Sequence, residues 1–301
     1  MLHWRWNIFL LCAALAGGQM AAVEQVPIGF GEASISGALQ GLTEFWPVSS
    51  SAHLLILREL AGPNWASGGA RTDAIWHFDL LLQLASALAI LVAYPRRVGQ
   101  LFLGALGRSQ EGRRILCCLL LAFFPVALVG ALLDYLHWHP SPPIRTIAWS
   151  LLLGGMYILI FESIFHRKGR RQLSEFDYRD ALFVGIAQTI ALFPGVSRSL
   201  MGLTASLALG LCPLAAVEFT FFLGYGTIAA AACYRLLAGG LAAIAALPIG
   251  PVAFGCGCAF LCAIPSLFFQ NYLSCLLQNR SLLPFGYYRV LLGLIILVTA
   301  S

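Results

Sequence analysis

Charged side chains are scarce in this sequence of 301 residues. Asp, Glu, Lys and Arg make up 10% of the chain, whereas soluble domains carry roughly 25%. Lys168 is the single lysine, and arginine supplies most of the formal net charge of +5. So few charges cannot cover a water-facing surface, and 59% of the residues are hydrophobic, with a mean hydropathy of +0.83. The composition predicts an all-α polytopic membrane protein, in which the arginines report topology rather than nucleic-acid binding.

Cysteine pairs with metal-ligand spacing are also missing. All nine cysteines fall in or beside apolar segments. The pair Cys256 and Cys258 is too close-set for a zinc pair of the Cys-x-x-Cys type. We interpret the cysteines as small buried apolar side chains.

A polar stretch interrupts the apolar sequence between Gln40 and His53. It contains an acid, three consecutive serines and an imidazole on the two sides of Pro47. Proline removes a backbone donor and disfavours helix for the residue before it, so we expect a helix to break near Trp46. Polar groups at such a break are costly unless they line a cavity or a site.

A second interruption, from Gln188 to Ser199, aligns without a gap on the first. The matched pairs are Gly37 and Gly185, Gln40 and Gln188, Phe45 and Phe193, Val48 and Val196, Ser49 and Ser197, and Ser51 and Ser199. Ser50 is replaced by Arg198 in the second copy. Matched interruptions in two halves of a membrane protein indicate an internal repeat whose site lies where the breaks meet.

The apolar segments predict about six transmembrane helices and two re-entrant helix hairpins. The expected spans are Ile75–Tyr94, Ile115–Leu136, 145–165, Leu214–Tyr234, Gly240–Phe269 and Pro284–Ala300. The long segment Gly240–Phe269 contains Gly and Pro breaks, so its ends are left open. The expected hairpins are 28–60, with a loop at 61–74, and 181–211. The arginine-rich loops at 96–114 and 166–171 are placed in the cytoplasm by the positive-inside rule, which inverts one half relative to the other.

The chain is therefore predicted to form one membrane domain over 28–301. Repeat 1 covers about 28–165, and repeat 2 covers about 179–301. Residues 1–27 resemble a separate N-terminal extension, either a signal-like segment or an extra membrane helix.

Four side chains carry the predicted chemistry. Glu44 is a carboxylate beside an apolar run, and such acids are functional by default. Ser50 can act as a nucleophile once a base takes its proton, and His53 shares a helix face with it and suits proton transfer. Arg198 needs an anionic partner, which is either a phosphate group or an ion pair with Glu44 or Glu218.

The groups around these four have supporting roles. Gly195, Ser197 and Ser199 surround Arg198 at a predicted helix N-terminus, which is a ready anion site. The secondary candidates are Gln40, Ser49, Ser51, Asp79 and Glu218. One of the serines is expected to cap a helix. For Asp79 and Glu218 we favour structural pairing with the hairpins over a cation site.

Together these groups suggest phosphoryl transfer from a lipid. Water or Ser50 attacks, and Glu44 or His53 acts as the base. A divalent ion bridging Glu44 and a diphosphate would fit the same arrangement. A transporter or flippase for a lipid phosphate is the alternative, because inverted repeats with broken helices are also a transporter architecture.

At these residues the chain resembles the bacterial undecaprenyl-diphosphate phosphatase family, which is also known for bacitracin resistance. The likeness lies in Gln40–His53 and in the Pro-Gly-Val-Ser-Arg-Ser of 194–199. Three lesser blocks at 78–84, 218–221 and 283–289 follow in the same order. The resemblance covers about residues 30 to 301.

This resemblance implies an integral inner-membrane hydrolase that converts undecaprenyl diphosphate to undecaprenyl phosphate and phosphate. It also implies an outward-facing site, a role in recycling the cell-wall lipid carrier and a divalent cation, expected to be Mg²⁺ or Ca²⁺. Glu44, His53, Ser50 and Arg198 match the catalytic positions. The oligomeric state is left open, a homodimer included.

The chain departs from the family pattern at three positions. Gln40 stands in place of the first acid of the paired carboxylates, which weakens a metal site with two carboxylates. Leu200 replaces a glycine and Gly202 replaces a hydroxyl, although Thr204 lies in the next turn. These departures keep a non-catalytic homologue as a third hypothesis, which predicts that Leu200→Gly with Gly202→Thr raises activity.

Overall fold

The computed structural model describes residues 28–62, 69–138, 142–165, 169–237, 241–276 and 281–299. The predicted extension at 1–27 lies outside these residues. Within them the chain forms α-helices and short 3₁₀ turns but no strand, as the composition predicted. The α-helices are α1 (Phe30–Thr43), α2 (Ser50–Ala61), α3 (Gly69–Ala93), α4 (Pro95–Ala105), α5 (Gln110–Tyr135), α6 (Ile144–Ile164), α7 (Tyr178–Thr189), α8 (Arg198–Ala208), α9 (Pro213–Arg235), α10 (Leu241–Ala245), α11 (Ile249–Leu276) and α12 (Leu283–Thr299).

Five of these helices, α3, α5, α6, α9 and α11, are long and apolar enough to cross a membrane. The chain is a multi-pass membrane protein. The sixth predicted span corresponds to α12, which is apolar but has only 17 residues. A helix of that length extends roughly 25 Å, slightly less than a bilayer core of about 30 Å.

The two predicted hairpins correspond to the helix pairs α1–α2 and α7–α8. Helix α1 has 14 residues and α2 has 12, so neither could cross a bilayer core alone. The first break occupies residues 44–49 and the second occupies residues 190–197, including a 3₁₀ turn at Ile190–Leu192. Both breaks lie where the sequence predicted them, because Pro47 and Pro194 each interrupt a helix.

Three predicted boundaries are wrong. The segment 240–269 is not one span, because α10 ends before Pro248 and α11 starts just after it, where proline disfavours helix for the preceding residue. Pro95 was expected to end a span and lead into a loop, but it is the first residue of α4, a position that suits proline. The predicted loop at 61–74 is also too long, since α3 begins at Gly69.

Each hairpin packs against a span from the other half of the chain. Helix α1 contacts α11, and α7 contacts α5. Gly37 and Gly185, a matched pair in the sequence, make these contacts possible. A Cβ at Gly37 would overlap the Gly255 carbonyl of α11, and one at Gly185 would overlap the Ala122 carbonyl of α5. Small residues let membrane helices approach closely in this way, and the inverted orientation of the halves stays a prediction.

Candidate active site

The two breaks meet at the carboxylate of Glu44. Ser50 Oγ donates to Glu44 Oε2 at 2.6 Å, and Arg198 Nη2 donates to Oε1 at 3.1 Å. Gln40 Nε2 also donates to Oε2, at 2.5 Å. The Glu44 side chain is 8% exposed, and a buried carboxylate needs such donors to remain charged. Of the alternatives left open for Arg198, the ion pair with Glu44 is therefore present in the structure. Ser50 binds the other oxygen of the same carboxylate.

The first break presents Ser50 at the start of α2. Glu44 follows α1 directly, and Ser49 caps α2 by accepting a hydrogen bond from the Ala52 amide at 3.4 Å. The backbone of Ser49 has a φ of 72°, which costs a non-glycine residue about 1–3 kcal/mol. Ser51 Oγ lies 3.3 Å from Ser49 Oγ. The turn that aims Ser50 at Glu44 is thus strained and is held by its hydroxyls.

The second break presents Arg198 at the start of α8. Gly195 has a φ of 87°, and its Cα packs so closely on Ser150 that an added Cβ would lie 2.7 Å from Ser150 Cβ. Ser197 caps α8, and its Oγ lies 2.8 Å from Ser199 Oγ. Ser199 Oγ donates to the carbonyl of Trp46 at 2.8 Å, so it ties the second break to the first.

Two helix N-termini therefore open towards one place. Ser50 and Arg198, which align with each other in the sequence, are the first residues of α2 and α8 and bind the two oxygens of Glu44. Arg198 Nη2 also donates to Gln83 Oε1 of α3 at 2.6 Å. Helix N-termini carry unpaired amides and a partial positive charge. The arrangement suits an anionic group next to a hydroxyl and a carboxylate.

His53 lies beside this cluster, but its ring faces elsewhere. Its Nδ1 is 2.7 Å from the Ser49 carbonyl oxygen, and its Nε2 is 2.6 Å from the Tyr288 hydroxyl. A carbonyl oxygen only accepts, so Nδ1 carries a proton. The ring also stacks on Tyr288, with a centroid distance of 5.7 Å. Spacing along α2 suggested that His53 faces Ser50, whereas both ring nitrogens have other partners.

A cavity of about 660 Å³ lies next to His53. Its walls include Trp46 and Val48 of the first break and Phe285 and Tyr288 of α12. Its volume falls within the usual range of ligand pockets, about 300–1,000 Å³. The cavity therefore adjoins the first break through Trp46 and Val48, whereas Glu44 and Ser50 are not among its lining residues.

Two of the predicted secondary residues lie outside the cluster. Asp79 accepts from Arg58 Nη1 at 2.7 Å, which ties α3 to the first hairpin. Glu218 accepts from Arg97 Nε at 2.5 Å, which ties α9 to α4. Asp79 thus pairs with a hairpin, as expected from the sequence, whereas Glu218 pairs with α4 instead. Gln40, Ser49 and Ser51 all belong to the cluster or to its supporting turn.

The structure adds three residues to the predicted site, all within the blocks 78–84 and 283–289 that resemble the family. Gln83 binds Arg198, and Tyr288 binds His53. Arg289 is 0% exposed and binds carbonyl oxygens of both breaks. An arginine within an apolar helix is rare and needs a partner, and this signal would have identified Arg289.

The departures at Leu200 and Gly202 have a structural explanation. Leu200 is 1% exposed in the core. A Cβ at Gly202 would lie 2.7 Å from Thr220 Cγ2 and 3.2 Å from Thr220 Oγ1. Thr220 of α9 therefore occupies the space that a side chain at 202 would fill. Thr204 does not stand in for it, because its hydroxyl binds the Leu200 carbonyl and Tyr157 instead.

Known proteins of one family resemble this chain over most of its length. The sequence profile described as Bacitracin resistance protein BacA matches residues 33–295. An undecaprenyl-diphosphatase of Sorangium cellulosum is 34% identical over 270 residues, which cover 88% of this chain and 85% of the relative. An undecaprenyl-diphosphatase of Nitrosococcus oceani is 37% identical over 266 residues, which cover 85% of this chain and 93% of the relative. One from Bdellovibrio bacteriovorus is 33% identical, with 88% and 94% covered.

Proposed function

We infer that this chain, which belongs to the BacA family of bacitracin resistance proteins, hydrolyses undecaprenyl diphosphate to undecaprenyl phosphate and inorganic phosphate. The single observation that carries the inference is the contact of Ser50 Oγ with Glu44 Oε2 at 2.6 Å, with Arg198 on the other oxygen. A nucleophile beside a base, with a cation beside both, is the arrangement that phosphoryl transfer needs.

In the proposed reaction, Ser50 Oγ attacks the terminal phosphorus while Glu44 takes its proton. The Oγ–P bond forms as the bond from phosphorus to the bridging oxygen breaks, and undecaprenyl phosphate leaves. The proton on Glu44 passes to the departing undecaprenyl phosphate, so Glu44 is again a carboxylate. Water then attacks the phosphoserine as Glu44 takes its proton, and Glu44 returns that proton to Ser50 Oγ as the Oγ–P bond breaks and phosphate leaves. The direct alternative omits the phosphoserine, with Glu44 deprotonating water and Ser50 only contacting the phosphate.

Charge on the transferring group would be stabilised from the second break. Arg198 offers a planar guanidinium that matches phosphate oxygens. The amides at the start of α8 and the hydroxyls of Ser197 and Ser199 add donors, and Gly195 lets the backbone turn towards them. Such preorganised donors commonly supply the largest part of rate acceleration. His53, held by Ser49 and Tyr288, is proposed to support the first break rather than to act as the base.

A divalent cation fits this site only if the substrate shares in binding it. Over the part of the chain that the structure describes, no three His, Cys, Asp or Glu side chains come together. Glu44 supplies one carboxylate, and Gln40 Oε1 is buried without a partner. Mg²⁺ is commonly held by one or two carboxylates plus substrate phosphates, whereas Ca²⁺ needs six to eight oxygens. Glu44 and Gln40 would hold such an ion, which when bound neutralises charge on the diphosphate.

We further propose that the site faces outward from the bacterial inner membrane. Exposed arginines lie along α4 and the start of α5, at Arg96, Arg108 and Arg113. The positive-inside rule places that end in the cytoplasm, and the first hairpin then opens to the opposite side. There the enzyme would recycle the lipid carrier used in cell-wall synthesis.

The test is release of phosphate from undecaprenyl diphosphate by the purified protein in detergent. We expect release from the wild type and a loss of at least about a hundredfold in Glu44→Gln. Glu59→Gln is the matched control, since Glu59 is an exposed acid on α2, and it should leave the rate unchanged. Equal release by Glu44→Gln would remove Glu44 from its role. A folded wild type that binds the lipid but releases no phosphate would favour a transporter.

Labelled substrate distinguishes the two routes of attack. With undecaprenyl diphosphate carrying ³²P on the terminal phosphate, rapid acid quenching and peptide mapping should place label on Ser50. Ser50→Ala should carry no label. Active enzyme without label in any peptide would support direct attack by water.

A further inference from the structure

Arg289 of α12 lies between α6 and the two breaks and is completely buried, with 0% exposure. Its Nη1 donates to the carbonyl oxygen of Pro47 in the first break at 3.2 Å. Its Nη2 donates to the carbonyl oxygens of Gly195 in the second break and of Ser150 in α6, both at 3.2 Å. One guanidinium therefore binds the backbones of both breaks.

Burying this arginine is costly. Within the described ranges, no carboxylate forms an ion pair with it, and its Nε is buried without a partner. A buried charge with no counter-ion is strongly unfavourable, and an apolar residue of similar size would pack at lower cost. The advantage of arginine over an apolar residue at this position therefore lies in its hydrogen bonds to the two breaks.

The facing helix leaves room for the guanidinium. A Cβ at Gly154 of α6 would overlap Arg289 Nη2 and lie 2.8 Å from its Cζ. Alanine would be the more favourable residue in a helix interior. Glycine at this position thus accommodates the arginine head group and is an independent sign that the clamp is built into the fold.

The bound carbonyls are close in sequence to the reacting groups. Pro47 lies midway between Glu44 and Ser50, and Gly195 lies three positions before Arg198. The guanidinium is planar and rigid, so its two Nη atoms keep the bound carbonyls at a set separation. Because Arg289 has no exposed surface, it cannot touch a substrate and acts only through the backbone.

We propose that Arg289 is a positioning residue that clamps the two breaks together and so sets the distance from Glu44 and Ser50 to Arg198. Its effect on catalysis rests on the proposed function, whereas the clamp itself does not. The two are therefore tested by separate measurements.

Amide hydrogen exchange, followed by mass spectrometry in detergent, tests the clamp. Arg289→Lys replaces two donor nitrogens with one, and Gly154→Ala pushes the guanidinium aside without altering Arg289. Each variant should speed amide exchange in peptides that cover the two breaks, 44–49 and 190–197, by about 10- to 100-fold. Gly130→Ala is the matched control, because a Cβ there meets nothing within 4 Å. Unchanged exchange, a change in one break only, or an equal change in all peptides would overturn the clamp.

Kinetics tests the consequence for catalysis. In folded protein, Arg289→Lys and Gly154→Ala should lower kcat by about tenfold or more while KM stays within about threefold, because small misplacements of reacting groups are costly. The loss should disappear when Glu44→Gln is already present, since residues acting as one unit are not additive. A raised KM with unchanged kcat, or a fully additive loss, would overturn the positioning role. A wild type without phosphatase activity would refute the proposed function and leave the exchange result standing.

Discussion

Glu44 Oε1 and Arg198 Nη2 lie 3.1 Å apart, although 154 positions separate the two residues in the sequence. Each belongs to a break in a short helix pair, and neither helix pair could bring them together alone. The contact shows that the two interruptions form one site. The Arg198 guanidinium is already oriented for an anion that enters this site. That anion would compete with the Glu44 carboxylate for the guanidinium.

Replacing Arg198 with lysine keeps the charge but removes the planar fork. We expect Arg198→Lys to lower kcat/KM for undecaprenyl diphosphate by about 10²–10³ because one ammonium cannot bind two phosphate oxygens side by side. Phosphate release at several substrate concentrations measures it. Arg179→Lys, at an exposed position of α7, is the matched control. Comparable losses in the two variants would speak against a phosphate contact.

The role of His53 can be decided by keeping one of its hydrogen bonds. In His53→Asn the side-chain amide can still donate to the Ser49 carbonyl, whereas His53→Ala cannot. If His53 supports the first break, kcat should fall by less than about tenfold in the asparagine variant and clearly further in the alanine variant. Both variants lack an imidazole, so if His53 is the general base, kcat should fall equally in both. Equal and large losses of kcat would therefore identify His53 as the base.

Tyr288→Phe removes the hydroxyl that binds His53 Nε2 and leaves the ring stacking in place. A supporting bond of this kind is worth about 0.5–1.5 kcal/mol. We therefore expect kcat to fall by no more than about tenfold and the melting temperature to fall slightly. Tyr287→Phe, an exposed neighbour on the same helix, should change neither quantity. A hundredfold loss in Tyr288→Phe would instead indicate a direct part in proton transfer.

The structure reverses the expectation for Gly202. Introducing the family hydroxyl by Gly202→Thr should destabilise the protein by about 1–3 kcal/mol because the new side chain collides with Thr220. Adding Thr220→Ala should recover most of that loss, since it removes the two colliding atoms. Thermal melting in detergent, with phosphate release alongside, checks both variants. If Gly202→Thr is stable and more active than the wild type, the missing hydroxyl at position 202 limits the rate, and the packing against Thr220 does not prevent the substitution.

Ser49 combines a helix cap with an unfavourable backbone conformation. Ser49→Ala loses the cap and keeps the positive φ, so it should lose about 1–2 kcal/mol of stability. Ser49→Gly also loses the hydroxyl but adopts positive φ freely, and glycine is itself an acceptable cap. It should therefore melt close to the wild type. Equal melting temperatures for the two variants would mean that the backbone of this turn relaxes.

The sequence predicted the parts of the site that depend on local pattern. Pro47 and Pro194 mark the breaks, and the match between Ser50 and Arg198 placed both at helix starts. Sequence-based prediction failed for contacts between residues that are distant in the chain. His53 and Ser50 have helical spacing, yet the ring of His53 turns to Tyr288, which lies 235 positions away. Arg289 could have been identified as an arginine within an apolar helix, but its partners in three other segments could not.

The errors in the fold have a local cause, because one residue type marks both the ends and the starts of helices. Proline was interpreted as a helix terminator at Pro95, where it begins α4. Breaks at Gly and Pro were expected within 240–269, but the segment was still counted as one span, whereas Pro248 separates α10 from α11. The residue alone does not decide between ending and starting a helix, because proline is tolerated in the first turn and excluded only further inside. At Pro95 the change in composition favoured a loop, since the apolar α3 is followed there by two arginines.

The packing of Gly37 against α11 has a consequence for biosynthesis. Helix α1 emerges early from the ribosome, but the surface it fits belongs to a helix made near the end of translation. Until α11 has been synthesised, the first hairpin must therefore remain in the lipid or at the insertion machinery without its packing partner. In chains truncated before α11, the surface of α1 around Gly37 would have no packing partner. We expect such fragments to be degraded quickly, which pulse labelling of the truncated chains would measure.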